Sequence, residues 1–320
     1  MTGMAADEEF AARTDPMRRE LLAYCYRMLG SVQDAEDLLQ ETLLRAWLAY
    51  DRYDPARSSL RTWLYRIATN ACLTALQQRN RRPLPSGLGT PASEDPRAPM
   101  VLGDEVPWLQ PFPDARAGDP ADTGSLRLAL VAALQFLPAR QRAVLILREV
   151  LEWSAAEVAT ALDTTPAAVN SALQRARAQL GEAGLSEDRI SEPAEPGRRE
   201  LVDRYVTAFR NADLATLQRL LTESVVLEMP PMLAWYSGRA AYAAFIARVY
   251  EMRGTDWRME PVGANGQPAV AAYVRAPDGG YLLHTLQVFT VTGGAVSRTT
   301  VFQDPAVFVA FALPATLSGP

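Results

Sequence analysis

Three sets of side chains in this sequence have the types and spacing to do chemistry. The first is basic and polar: Arg57, Arg61, Arg66, Arg79, Arg81 and Arg82, with Asn70 among them. Residues 61–82 carry five Arg and no acid. That suits a row of phosphates, the main source of affinity for DNA. Asn70 falls on the Arg66 side of a helix and is the candidate for a base contact. The second set is acidic. Asp34, Glu36, Asp37 and Glu41 crowd into residues 31–41 without a base. They suit a basic partner, and early in a helix they also complement its macrodipole. The third is His284, the one histidine of the chain, on a strand-like run where Leu282, Leu286 and Val288 share its face. If that face lines a pocket with Met229, Trp235, Tyr236 and Gln303 or Asp304, a His–Asp pair is equipped for acid–base work on an enolisable substrate. A histidine satisfied in the core is the favoured alternative, because no second titratable group is placed by the sequence. Met229, Trp235 and Tyr236 suit a small apolar ligand either way.

The elements that must hold these residues are legible from caps and periodicity. Residues 8–82 read as helices. Leu21, Leu22, Tyr24, Cys25, Met28 and Leu29 form one apolar stripe, ended by Gly30-Ser31. Ser31 is an N-cap, with Asp34 completing a capping box. The next helix, 32–50, buries Ala35, Leu38, Leu39, Thr42, Leu43, Ala46 and Trp47. A third, 59–79, turns Leu60, Trp63, Leu64, Ile67, Ala68, Ala71, Cys72 and Ala75 inward. Further on, Ser154 with Glu157 makes another capping box, and Asp163-Thr164-Thr165-Pro166 stops one helix and starts another. The last of these helices buries Val169, Ala172, Leu173, Ala176 and Leu180. It shows Asn170, Ser171, Gln174, Arg175 and Arg177 outward. A short polar and basic helix after a tight turn is a major-groove reader's layout.

Residues 83–124 differ: nine Pro and seven acids stand against two Arg. This is a linker composition, except for the aromatic patch 107–113 around Trp108 and Phe112, which is expected to dock on a neighbouring domain. A second Pro/Glu-rich linker spans 185–197. Beyond it a helix (198–221), a strand (225–229), a helix (239–250) and strand-like runs at 257–262, 269–276, 281–291 and 295–303 are punctuated by hairpin signals. The expected class is α+β with an antiparallel meander.

The bounds fit this division. The chain has 320 residues and a net charge of −5, and all 32 basic residues are Arg. It is long enough for two or three cores. No apolar run approaches the ~20 residues of a membrane span, and a cytoplasmic protein without a membrane role is expected. Cys25 and Cys72 fit neither a disulfide framework nor a zinc site, and no metal or cofactor is implied.

The runs DAEDLLQETLLRAW (34–47), SSLRTWLYRIATNACLTALQQRNRR (58–82) and LPARQRAVLILREVLEWSAAEVATALDTTPAAVNSALQRARAQL (137–180) resemble, in order, segments of the extracytoplasmic-function sigma factors of the sigma-70 family. The resemblance implies a multidomain fold: an all-α region 2 bundle (8–82), a linker (83–124) and an all-α region 4 helix-turn-helix (125–184). It implies a transcription initiation factor with no active site of its own. Its partners would be promoter DNA and core RNA polymerase, through the largest subunit's clamp helices and the flap. Asp34, Glu36, Asp37, Leu38, Gln40 and Glu41 would bind polymerase, and the basic set with Asn70 would read the minus-10 element. Arg140, Arg142, Thr165, Ala167, Ala168, Asn170, Ser171 and Arg175 would meet the minus-35 element, with Arg140 and Arg142 gripping phosphate. Residues 198–320, with VVLEMPPMLAWYSGRAAYAAF and the closing VFQDP, are similar to SnoaL-like α+β domains shaped as a cone-like barrel. That implies regulation in cis; the alternatives are a cyclase- or isomerase-like enzyme, or a sensor of a small ligand of unknown identity.

Overall fold

Local signals set the helix boundaries of the N-terminal part. The computed structural model describes residues 2–77, 81–118, 124–182 and 197–319. Helix α1 spans Thr2–Thr14, α2 Arg18–Leu29, α3 Val32–Leu48 and α4 Leu60–Gln77. Gly30 closes α2 in the left-handed region, φ 69°, where a glycine pays no Cβ penalty. The Ser31 side chain then caps α3 by accepting from the Asp34 N–H. Helices α2, α3 and α4 bury Leu21, Tyr24, Cys25, Met28, Leu43, Leu64, Ala68 and Cys72. The Tyr24 and Thr69 hydroxyls, 2.7 Å apart, satisfy each other inside that core.

The helix-turn-helix follows. Helix α5 is Leu128–Leu134. Helix α6, Ala139–Leu145, widens into a π turn over Ile146–Val150, and α7 is Ala155–Ala161 and α8 Pro166–Glu182. Both halves of the Ser154/Glu157 capping box are formed. Met1–Arg82 and Arg116–Ile190 form one unit, so these helices pack on the first group directly. The Tyr65 and Trp153 rings meet at 5.0 Å, and the Arg61 guanidinium lies 5.3 Å from the centre of each.

Pro83–Ala115 and Ser191–Pro320 form the second unit. Helices α9 (Arg198–Arg210), α10 (Leu214–Arg219) and α11 (Arg239–Arg253) pack on a sheet of β1 (Leu221–Glu228), β2 (Trp235–Ser237), β3 (Trp257–Ala264), β4 (Gln267–Arg275), β5 (Tyr281–Thr292) and β6 (Ala295–Phe302). Helix α12 is Pro305–Ala310, and β7 (Thr316–Leu317) pairs with the start of β5. The strand order is β2-β1-β6-β5-β4-β3. The expected meander is present in β3 to β6, but β1 runs parallel to β6, so the sheet is mixed. The single helix expected over 198–221 is two: Ala212 at φ 50° breaks it, and Asp213 caps α10 through the Thr216 N–H. One sheet face, with Leu227, Met229, Phe289 and Val301, packs on Tyr205 and Phe209 of α9 and Tyr242, Phe245 and Ile246 of α11.

Residues 83–115 are not a free linker. They form a strap seated on this domain, tied at successive points. The Ser86 N–H and hydroxyl donate to Glu228, at 3.1 and 2.7 Å. Arg248 donates to the Pro96 and Ala98 carbonyls. Leu102 bridges Met232, and the Phe112 N–H donates to the Asn265 side chain, 2.8 Å. Leu109 and Phe112 are fully buried, which accounts for aromatic residues in a Pro-rich segment.

Glu228 is 0% exposed and pairs with Arg298, 2.5 Å away and partly open to water. Removing one partner of a buried pair costs most when the stranded charge stays buried. Arg298→Ala should therefore lower stability by about 3 kcal/mol and Glu228→Gln by about 1 kcal/mol. Urea unfolding of the full chain checks the order of the two.

Candidate functional site

On α4, Arg66 and Asn70 stand one turn apart on an exposed face, and Arg57 is exposed in the preceding loop. The rest of the basic set is committed within the unit. Arg61 pairs with Glu20 at 3.2 Å and stacks on Tyr65 and Trp153. Arg81 lies 4.2 Å over the Phe136 ring, and Arg82 pairs with Asp34 at 2.5 Å. Arg79 lies outside the described residues. Arg66 has an acid, Asp163, at 4.0 Å, but both side chains are well exposed, and such pairs contribute little.

On α8, Thr165, Ala167, Ala168, Asn170, Ser171 and Arg175 all face solvent. The Thr165 hydroxyl accepts from the Ala168 N–H at 3.2 Å, which starts the helix. Arg140 is exposed and donates to the Leu162 carbonyl at 2.8 Å, beside the turn of the motif. Arg142 is a correction. It is 4% exposed and donates to the carbonyls of Met28, Gln135 and Leu137 and to the Gln135 side chain. Burial pulls its pKa down to about 10, so it stays charged at neutral pH. It grips helix ends rather than phosphate.

On α3, Asp37, Gln40 and Glu41 are exposed. Asp34 is held by Arg82, Glu36 by Arg116 and Glu41 by Arg45. Leu38 is buried, at the floor of a groove flanked by Asp37, Glu41 and Thr74, so it serves the core. Trp47, expected inside, is 44% exposed, with Leu44 at 56% and Leu48 at 69%. Leu44 and Leu48 point about 100° away from Leu43 and Trp47 and so lie outside the buried stripe, whereas Trp47, one turn after buried Leu43, sits at the stripe's edge with its indole donating to Asp7 at 2.9 Å.

The third domain encloses a cavity of about 150 Å³ between α9, α11 and the sheet. Met229, His284 and Gln303 line it. Trp235 and Tyr236 do not: the Trp235 indole donates to the Thr90 carbonyl of the strap, and Tyr236 stacks on Phe245. The face expected for His284 also differs. Between β4 and β5 the register slips, with Thr285 opposite Ala272 and Leu283 opposite Tyr273, which leaves His284 as a bulged residue. His284 therefore turns to the cavity together with Thr285 and Gln287, whereas Leu286 and Val288 lie on the opposite face. Burial first, and the Arg253 guanidinium second, push its pKa down to about 4. Among the described residues no carboxylate lines the cavity. Asp304 instead caps α12 and accepts from Gln110. A His–Asp dyad is not assembled.

Residues 15–82 match Sigma-70 region 2, residues 127–180 match Sigma-70 region 4, and residues 202–299 match the SnoaL-like domain. The chain is 50% identical to the ECF RNA polymerase sigma factor SigG of Mycobacterium tuberculosis, over 98% of this chain and 86% of that protein. It is 27% identical to the probable ECF RNA polymerase sigma factor SigI of the same organism, over 95% and 96% of the two chains. The crystal structure of the M. tuberculosis extracytoplasmic function sigma factor SigJ shares the fold, with a TM-score of 0.63 at 23% identity, over 95% of this chain and 99% of that one.

The depressed His284 pKa has a pH consequence. The unfolded chain takes up the proton near pH ~6.5 and the folded one only near about 4. Stability is therefore full above ~6.5 and falls as pH drops through that window. Between pH 7 and 5 the wild type should lose more stability than His284→Gln, measured as the shift in urea midpoint. Equal losses would contradict the assignment.

Proposed function

The chain belongs to the extracytoplasmic-function sigma factors of RNA polymerase, and from that premise we propose how its parts divide the work of promoter-specific initiation. The exposed face of α3, with Asp37, Gln40, Glu41 and the apolar Leu44, Trp47 and Leu48, binds core polymerase at the clamp helices of the largest subunit. The α8 helix-turn-helix lies against the flap. Charge supplies the steering and the apolar patch the buried area. Arg57, Arg66 and Asn70 read the minus-10 element, and the exposed face of α8 with Arg140 reads the minus-35 element. The work takes place in the cytoplasm, where polymerase and DNA are. Among the described residues no helix is long and apolar enough to cross a membrane.

The third domain modulates the sigma factor in cis and does not catalyse. One observation carries this reading: the segment that joins region 2 to region 4 is built into the third domain as a strap. Whatever alters the seating of that strap acts on the covalent connection between the two DNA-reading regions. The absence of a carboxylate beside His284 in the cavity lining favours a binder over a cyclase or isomerase.

Run-off transcription with purified core polymerase tests the division. Arg66→Ala with Asn70→Ala should cut transcript at least about tenfold, the loss of one or two contacts of ~1–3 kcal/mol each, with core binding unchanged. Asp37→Ala with Trp47→Ala should weaken core binding itself. Leu109→Ala with Phe112→Ala, which loosens the strap, should change transcript yield at unchanged core affinity. Yields equal to wild type from that last pair would remove the cis-regulatory role.

A further inference from the structure

We propose that the third domain's cavity binds a small aromatic or branched-chain monocarboxylate, body inward and carboxylate on Arg253, and closes over it with Met100 of the strap. This rests on the reading of that domain as a modulator in cis.

Size and lining select the body. A cavity of about 150 Å³ is the size that holds a benzene ring. Met100, Met229, Met232 and Met252 line it beside Phe209 and Trp257. Thioethers on unbranched chains adapt to the shape of an apolar guest. The interior hydroxyls are already committed to one another: Tyr205 to Tyr242 at 2.7 Å, and Tyr242 to Thr299 at 2.9 Å. The remaining polar side chains, His284, Thr285, Gln287 and Gln303, are set beside an otherwise apolar lining, which suits a guest with a single polar end and leaves the groups of a highly polar guest unpaired on its apolar side.

Charge selects the head group. Of the side chains lining the cavity, Arg253 is cationic and none is a carboxylate. Arg253 is exposed at the end of α11 and makes no ion pair among the described residues. It lies close enough to His284 to disfavour the imidazolium. An anion at this rim relieves that unbalanced positive field, and a guanidinium matches a carboxylate with two parallel hydrogen bonds. A cationic guest would meet only repulsion.

Met100 makes the site regulatory. The strap is fixed on both sides of it: the Ala98 carbonyl accepts from Arg248 at 2.6 Å, and the Val101 carbonyl from the Leu233 N–H at 2.9 Å. A filled cavity gives Met100 a contact that an empty one lacks. Ligand and strap therefore stabilise each other, and by linkage the effect is reciprocal.

Calorimetric titration of the full-length protein at pH 7 with benzoate, and with benzamide as its neutral isostere, is the test, accompanied by amide exchange of residues 96–103. Benzoate should bind at least tenfold tighter than benzamide. Arg253→Gln should erase that difference, Met100→Ala should weaken benzoate, and exchange of the 96–103 amides should slow when benzoate is bound. Equal affinities for the two probes, or an unaffected Arg253→Gln, would overturn the anion site. Absence of binding up to about 10 mM, a free energy of only a few kcal/mol, would overturn the cavity as a site for this class. Binding without protection of 96–103 would overturn the role of the strap. None of these readouts uses polymerase, so a negative result here stands apart from the transcription result.

Discussion

The first unit depends on how a buried guanidinium is satisfied. Among the described residues Arg142 has no carboxylate partner; carbonyl dipoles and the Gln135 side chain balance its charge, and its Nε is left without an acceptor. One of them, Met28 O, belongs to the last turn of α2, where an α-helix leaves its carbonyls without intrahelical donors and carries the negative end of its dipole. Gln135 reinforces the joint, accepting from Arg142 at 2.8 Å and donating to the Arg27 carbonyl at 3.4 Å. Region 4 thus caps a helix of region 2. This polar part of the joint can be replaced by water on opening; beside it the Tyr65 and Trp153 rings add an aromatic contact. Beside it the contact is imperfect: the Trp153 indole N–H is buried without an acceptor, a cost of about 1–3 kcal/mol that separation would relieve.

The second unit is organised by the opposite device. Its strap is held by many small ties, none dominant, spread from the Ser86–Glu228 hydrogen bonds to the Phe112–Asn265 exchange. Glu228 is the deepest of them: alternation along β1 turns it away from Leu227 and Met229, onto the sheet face that Ser86 reaches. A distributed set of weak ties can detach in part, which suits a segment that must also serve as a connection. The cavity lies on the other face of the same sheet, and Met100 is where the strap contributes to its lining.

What the sequence disclosed is what local chemistry decides. Gly30-Ser31 and Ser154 with Glu157 are capping signals whose partners lie within four residues, and Asn265-Gly266 marks a hairpin between β3 and β4. The Sigma-70 and SnoaL-like parts were legible for the same reason, as runs of contiguous pattern. The failures share a different cause. His284 does reach the cavity, but not in company with Leu286 and Val288: a bulge in the β5–β4 pairing inverts parity there, and nothing in β5 alone marks it. Arg142 looked like a phosphate grip because its burial comes from packing against α2, whose Met28 carbonyl is distant in sequence, although its other acceptors, Gln135 and Leu137, lie just upstream. Leu38 sits in the buried stripe of α3, which the periodicity did indicate, whereas its assignment to polymerase came from the family pattern. Trp235 and Tyr236 were placed in the cavity by chemistry that suits it, yet the strap and Phe245 take them. The docked aromatic patch around Trp108 was foreseeable, but its path over the domain was not.

The geometry of promoter DNA gives these arrangements a common consequence. Elements near positions −35 and −10 are about 25 base pairs apart, or about 85 Å along the duplex at ~3.4 Å per pair. The rings of Tyr65 on α4 and Trp153 before α7 are 5.0 Å apart. On the proposed division of promoter reading, both elements cannot be read at once while that contact stands, and the first unit would have to open on DNA. The chain between the two regions then has to reach across. Residues 83–124, fully extended, span at most about 140–150 Å, so reaching about 85 Å needs more than half of that length to be available. A strap wound through ties to Glu228, Arg248, Met232 and Asn265 has little length to give. Opening of the DNA-reading regions and release of the strap are therefore linked steps, and each tie the third domain holds is a free energy that promoter and polymerase must offset. On the proposed reading, regulation by that domain would need no contact with DNA or polymerase: it would follow from where the connecting chain is stored.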